Sequence, residues 1–413
     1  MNDLRVIIVA ENASRKMGGE AILPYHYFRI LRSRGIDAWL VVHERTRSEL
    51  QSLFPQELSR LYFVRDKFLQ KLFFRLGRFL PRRVAESTLG LANQIMTQWS
   101  QRALVRSLIT PEAVVHQPTP VSPRSPSLLW DVGAPVVIGP MNGGMEYPPA
   151  FRKNESAASR VFLSMAQALS DTVNALLPGK RRASVVLVAN QRTQAALPLK
   201  LKGRVEQVAE NGVDLSLWPA SLHDQQGAPT RFLFMGRLVD WKALDIVIEA
   251  LAQVPDATLD IIGDGPCFKI WQQLAMKLDL LDRIHFHGWV PQDECSRYLA
   301  AARALVLPSL FECGGAVVLE AMAMGKPVIA TNWGGPAEYL DSSCGILIEP
   351  ISKEHLIEGF AIAMRQLSTS PEFAQQLGSM GRARVVALYD WEKKVDMMLS
   401  LYHSALPAAA TEA

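Results

Sequence analysis

Two doubly wound α/β domains are the architecture this sequence predicts, on three observations. The chain has 413 residues, more than the roughly 250 to 300 that a single hydrophobic core supports. Short β-branched or apolar runs alternate with helical patterns along both halves, which is the rhythm of βαβ units. Between the halves, VEQVAENGVDLSLWPASLHDQQGAPT loses periodicity and fills with turn residues. The sequence is therefore divided into a first domain over 1–205, a junction over 206–230 and a second domain over 231–390, with a closing helix at 391–405.

In the first half the expected strands are RVIIVA, IDAWLVV, AVVHQ, APVVIG and SVVLVAN, with a helix starting near Gly19. In the second half RFLFMG leads into a helix from about Lys242 to Gln253. TLDIIG, another helix, RIHFHG, ALVLP, the helical GGAVVLEAMAMG, PVIAT and GILIEP follow. Strands of such solid apolar character suit a parallel sheet covered on both faces. No internal repeat is evident, and the Ala-rich end LPAAATEA reads as frayed.

An apolar fraction of 49% with 20% charged and 8% aromatic residues describes an ordinary folded protein, neither disordered nor disulfide-built. Cys267, Cys295, Cys313 and Cys344 form no C-x-x-C pair and have no metal-ligand spacing, which fits a reduced, cytoplasmic compartment. The apolar run after MNDLR is too short for a signal peptide, and no stretch reaches the roughly 20 apolar residues of a membrane span. The net charge of +4 conceals an asymmetry. Through Glu206 there are 29 Lys and Arg against 15 Asp and Glu, and afterwards 15 against 25. The basic half is suited to an anionic partner.

Arg237 follows the strand RFLFMG, and Lys242 stands where the next helix is expected to begin, with Asp240 as its cap. Open α/β sheets bind ligands at the carboxyl edge of their strands, and two cations beside a helix N-terminus can neutralise a diphosphate without a metal. The plain alternative is two solvated surface charges. In SLFECGGAVVLEAMAMG, Glu312 lies in the loop after a strand and Glu320 on the helix opened by Gly314 and Gly315. Glu320 is about 7 Å along that helix at 1.5 Å per residue, so the two carboxylates can serve different parts of one ligand. Alternatively they are an exposed helical charge and a loop charge.

With NGVD at 211–214, GDGP at 263–266, HGWVP at 287–291 and GGPAE at 334–338, these residues resemble the retaining glycosyltransferases of the GT-B fold, specifically glycosyltransferase family four, over most of 205–392. The resemblance implies two Rossmann-like domains facing across a cleft, the second binding a nucleotide-sugar donor and the first an acceptor, with the last helix crossing back onto the first domain. It implies that Gly236, Arg237 and Lys242 hold the donor diphosphate, and that Glu320 holds the ribose. Glu312, with Gly314, Gly315 and Ala316, would meet the transferred sugar and phosphate. Gly288 to Val290 would lie against the base, with Gly263 and Gly265 helping to form the pocket. The segment Cys313, Gly314, Gly315 departs from the family's pattern of glycine, bulky residue, glycine.

In the first half, KMGGEAILPYHYFRILRSRG resembles the family's opening glycine loop, with Gly18 and Gly19 free to approach a phosphate or acceptor. His116 ends AVVHQ where relatives place a histidine near the sugar's outer hydroxyls, and it counts with Glu312, Arg237 and Lys242 among the expected catalytic residues. The bland alternative is a buried core histidine. QPTPVSPRSP and GPMNGGMEYPP, sharply turned at Gly143 and Gly144, are loops that could shape an acceptor cleft.

The expected activity is thus retaining, metal-independent hexosyl transfer with no cofactor beyond the nucleotide-sugar substrate, and the chain has no Asp-x-Asp motif of the metal-using kind. Residues 60–83 hold eight Lys and Arg but only Asp66 as an acid, interleaved with Leu and Phe. A basic amphipathic helix there would lie in an anionic membrane surface, which suits a lipid-linked or cell-envelope glycan acceptor on the cytoplasmic face. A helix packed on its own domain is the alternative, and nucleic acid is not expected as a partner. Rival functions are a nucleotide-sugar epimerase on the same fold, a degenerate partner of another transferase, and a pyridoxal-dependent phosphorylase.

Overall fold

The computed structural model describes residues 4–70, 73, 89–154, 170–198, 200–221 and 229–407. The chain divides into two compact units, one of residues 1–144, 156–210 and 395–413, the other of 145–155 and 211–394.

The first unit is built on seven parallel strands: β1 (Arg5–Val9), β2 (Asp37–His43), β3 (Leu61–Val64), β4 (Ala113–Gln117), β5 (Val136–Met141), β6 (Val185–Val188) and β7 (Arg204–Gln207). Their order is β3-β2-β1-β4-β5-β6-β7. Strand order therefore reverses between β1 and β4. Helices α1 (Ile22–Ser33), α2 (Arg47–Leu53), α3 (Leu91–Leu108) and α4 (Gln191–Ala195) connect them. Ile7, Val9, Val41, Val115, Ile138 and Val186 pack into one core, as strands with apolar residues at successive positions require when both faces are covered. Helix α1 stops because Gly35 takes a left-handed φ of 75°, and the Ile36 amide then donates back to Leu31 O at 3.0 Å. From Val395 onward the last helix, α12 in the numbering below, belongs to this unit, with Asp396 paired to Arg34 at 2.5 Å.

The basic segment differs from expectation where it is described. Leu61–Val64 is not helical but the edge strand β3, in register with Leu40–His43. Aromatic and β-branched residues in LYFV fit a pleated edge, and Arg60 and Arg65 are tied to this unit through Asp37 at 3.1 Å and Glu44 at 3.1 Å. Residues 71, 72 and 74–83, with the remaining basic residues apart from Lys67, lie outside the described residues.

The second unit carries six parallel strands, β8 (Thr230–Met235), β9 (Ala257–Ile262), β10 (Ile284–Gly288), β11 (Ala304–Leu307), β12 (Val328–Thr331) and β13 (Ile346–Ile348), in the order β10-β9-β8-β11-β12-β13. Its helices are α5 (Leu244–Leu251), α6 (Phe268–Lys277), α7 (Gln292–Ala301), α8 (Ala316–Ala323), α9 (Gly335–Tyr339), α10 (Lys353–Thr369), α11 (Pro371–Leu388) and the start of α12 (Trp391–Ala405). Phe232, Leu233, Phe234, Ile246, Ile261, Val306 and Leu319 are fully buried between sheet and helices. Strand order reverses again, between β8 and β11. The expected helix from Lys242 begins two residues late. Asp240 to Lys242 form a 3₁₀ turn, Ala243 is left-handed at φ 49°, and α5 starts at Leu244. Asp240 accordingly caps no α-helix; its Oδ1 accepts the Trp241 amide at 3.0 Å.

Candidate active site at the β8/β11 edge

In a doubly wound sheet the loops at the carboxyl ends of two strands diverge where strand order reverses, and the crevice left there is the natural ligand site. In the second unit those strands are β8 and β11. The loop after β8 brings Gly236, Arg237 and Lys242, and the loop after β11 brings Glu312. Lys242 Nζ donates to Glu312 Oε2 across the gap, and the two side chains are only 12% and 15% exposed. Arg237 is exposed, and no carboxylate among the described residues pairs with it. The edge thus presents one guanidinium open to an anion beside an ammonium whose partner is already in place.

The glycines permit the backbone to close in. Gly236 N–H donates to Ile262 O at 3.0 Å, and Gly263 N–H to Gly288 O at 2.7 Å, so the ends of β8, β9 and β10 are stitched side by side. A Cβ on Gly263, at φ 132°, would stand 1.9 Å from Gly236 O, and one on Gly265 would stand 2.3 Å from Leu238 O. Gly263→Ala is therefore expected to push the Gly236–Arg237 turn outward. Overpacking of this kind costs about 1–3 kcal/mol, which thermal unfolding would record as a fall of roughly 2–4 °C or more.

Glu320, on α8, is partly buried, and Gln292 Nε2 donates to its Oε1 at 3.0 Å. Desolvation by the surrounding protein pushes its carboxyl up to about 7, against the lowering effect of that hydrogen bond. Gln292 opens α7 directly after the Gly288–Pro291 loop, so the contact draws Glu320 to the segment carrying Gly288 and Val290. Gln292 escapes a sequence reading because a glutamine at the start of a helix has nothing to single it out. Helix α8 begins behind Gly315, left-handed at φ 79°. A Cβ on Gly335 would stand 2.0 Å from Gly314 O, so Gly314, Gly315 and Ala316 lead into the helix along a closely packed backbone.

The remaining expected residues lie in the first unit. Gly18 and Gly19 have φ values of 63° and 55°, are exposed, and have nothing within 4 Å of a built Cβ. Their loop is braced by Glu49, which accepts from Ser14 Oγ at 2.7 Å and the Arg15 amide at 2.8 Å. His116 is different from what its strand-end position suggests. It is 0% exposed, with Nε2 at 2.7 Å from Gly139 O and Nδ1 at 2.7 Å from Tyr402 Oη. A carbonyl only accepts, so Nε2 carries the proton and Nδ1 accepts from the tyrosine hydroxyl. Both nitrogens have partners within the core of the first unit, which hold the ring in place.

The carboxyl edge of β8 and β11 thus gathers Arg237, the Lys242–Glu312 pair and close-packed glycine turns, with Glu320 on the adjoining helix α8. Residues 223–384 match the profile of the family described as glycosyl transferases group 1. Over 203 residues the chain is 30% identical to a glycogen synthase of Mycobacterium tuberculosis, covering 48% of this chain and 48% of that protein. Over 186 residues it is 32% identical to the lipopolysaccharide core biosynthesis glycosyltransferase LpsE of Rhizobium meliloti, covering 45% and 53%. The match spans about half the length of these curated relatives. The fold is that of the GT-B glycosyltransferases. It is similar to sucrose-phosphate synthase from Thermosynechococcus elongatus, with TM-score 0.62, 18% identity, and coverage of 97% and 98%. It is also similar to Anabaena Alr3699/HepE in complex with UDP, with TM-score 0.65, 17% identity, and coverage of 97% and 100%.

Proposed function

We propose that this chain is a retaining glycosyltransferase that moves a sugar from a nucleoside-diphosphate donor to a glycan or lipid-linked acceptor, without a divalent metal. The observation that carries the reading is the Lys242–Glu312 pair spanning the β8/β11 crevice beside the open Arg237. Arg237, Lys242 and the backbone at the start of α8 neutralise the charge that grows on the leaving diphosphate. Glu320 accepts from the ribose hydroxyls, the Gly288–Val290 backbone meets the base, and Glu312 borders the transferred sugar. The acceptor hydroxyl oxygen bonds to the anomeric carbon on the face the diphosphate leaves. The carbon–oxygen electron pair departs with the diphosphate, which also takes the hydroxyl proton, so no protein nucleophile is needed.

The UDP and UDP-glucose bound to Alr3699/HepE support a nucleotide-sugar donor. The glycogen synthase and lipopolysaccharide core relatives support a glycan or lipid-linked acceptor. In the first unit, the exposed Gly18–Gly19 turn offers backbone to an anionic group. The basic run at 60–83 is the proposed contact with an anionic, cytoplasmic membrane face, and no helix of the described residues is long and apolar enough to cross one.

The test is a panel of UDP-, GDP- and ADP-sugars in EDTA, with diphosphate release and the product anomer read by proton NMR. Undiminished turnover with the donor's anomeric configuration kept is expected. Loss of turnover in EDTA contradicts metal independence, and an inverted anomer contradicts retention. Flotation with anionic vesicles tests the membrane contact: salt-sensitive binding is expected, and no binding at low salt overturns it.

A further inference from the structure

The loop of Glu312 is held from a part of the chain far away in sequence. Residues 145–155 belong to the second unit, although they precede its first strand by some distance along the chain. Three contacts join Met145, Glu146 and Tyr147 to the loops after β11 and β12. Trp333 Nε1–H donates to Glu146 O at 2.8 Å. The Tyr147 ring lies 5.3 Å from that of Phe311, the residue before Glu312. Gly334, left-handed at φ 64°, is enclosed so tightly that a Cβ there would stand 2.7 Å from Met145 Cε and 2.2 Å from Glu312 O. Glu312 O in turn accepts the Gly335 amide at 2.8 Å. Arg152 fixes the segment itself, donating to Tyr147 O at 3.1 Å and pairing with Glu146 at 2.6 Å. Neither loop is part of a strand or helix at its tip, and apart from the Lys242–Glu312 pair and the Leu310 amide on Trp241 O, the Glu312 loop is held there through these contacts.

We propose that Met145, Glu146 and Tyr147 are positioning residues that clamp the Glu312 loop and thereby set which donor sugar the crevice takes; this rests on the glycosyltransferase reading above. Cys313, Gly314 and Gly315 contribute little side-chain bulk of their own. The wall against the transferred sugar is therefore defined by where Glu312 stands, and its carbonyl and its neighbour Phe311 are fixed through Gly334 and Tyr147. Trp333 supplies the directional hydrogen bond that keeps the two loops in register.

Cys313 reports on the clamp without any substrate. It is partly exposed, as is Cys267, whereas Cys295 and Cys344 are buried, so a Cys267→Ser background leaves Cys313 as the accessible thiol. Tyr147→Ala removes the ring, and Trp333→Phe removes the N–H together with the indole's five-membered ring while keeping an aromatic side chain, and serves as the milder variant. A lost aromatic or hydrogen-bond contact of this size corresponds to about a fivefold to tenfold rise in Cys313 alkylation rate. Affinity for UDP alone is expected to stay within about twofold, while the kcat/KM ratio between the preferred nucleotide sugar and the next best falls about tenfold. Alkylation at the wild-type rate in both variants overturns the clamp. Faster alkylation with the sugar ranking intact overturns its role in selection, and loss of UDP affinity in step with donor kinetics assigns the contacts to the stability of the unit instead. Failure of the glycosyltransferase reading shows separately, as wild-type protein that uses no nucleotide sugar; the alkylation rates then still decide whether the clamp exists.

Discussion

Replacing Lys242 by Met is expected to lower kcat/KM for the donor by about 100- to 1000-fold, the scale of losing one charge-assisted contact to a group whose charge grows in the transition state. The difficulty is that Lys242 is also a structural partner. Its pair with Glu312 is largely shielded from solvent, and breaking one side of such a pair leaves the other charge uncompensated, at about 3–5 kcal/mol where burial is complete. Single variants therefore confound stability with function. The double variant Lys242→Met, Glu312→Gln separates them, because it leaves no stranded charge. Its unfolding midpoint is expected to move back toward wild type while donor kcat/KM stays depressed. Recovery of both together would make the pair merely structural, and recovery of neither would point to a damaged fold.

The second large effect concerns Glu320. Desolvation raises its carboxyl to about 7 from a usual value of 4.5, so near neutral pH the group is divided between its two forms. Only the carboxylate can accept from two ribose hydroxyls at once, so if Glu320 holds the ribose as proposed, donor binding is expected to favour the ionised form and to release a proton below pH 7. Affinity for the donor nucleotide is expected to weaken about tenfold per pH unit as pH falls below about 7 and to level off above it. Glu320→Gln is expected to bind more weakly at high pH and to lose that dependence. The sign for folding is opposite. Between 4.5 and about 7 the folded chain holds a proton that the unfolded chain has released, so Glu320's contribution to stability is fully present below 4.5 and lost as pH rises through about 7. Calorimetric titrations from pH 5.5 to 8.5 read both effects, and a pH-independent nucleotide affinity in the wild type would remove Glu320 from the ribose.

Much of the second unit is legible in the sequence because its strands are nearly uniform apolar runs, and the glycines at 236, 263 and 288 end them. What joins the site is less visible. That Lys242 meets Glu312, 70 positions later, depends on β11 returning to lie beside β8, and strand order is not written in any local pattern. Gln292 meeting Glu320 depends on the same topology. The surroundings of His116 are hidden for a related reason. AVVHQ marks a strand end correctly, yet burial there is decided by Gly139 and by Tyr402, 286 positions away. The helical reading of 60–83 weighted the charge pattern of a long window over the short β-prone LYFV inside it. Asp240 has a capping side chain, but the left-handed Ala243 moves the helix start beyond its reach.

A nucleoside-diphosphate sugar is expected to occupy the crevice at the carboxyl ends of β8 and β11. Amide hydrogen exchange of the wild-type protein with and without UDP-glucose, GDP-mannose or ADP-glucose tests this most directly. The expected result is protection by at least one of them, concentrated in 236–242, 288–292 and 312–320. Protection confined to other segments, or none from any nucleotide sugar in a fully folded protein, would contradict it.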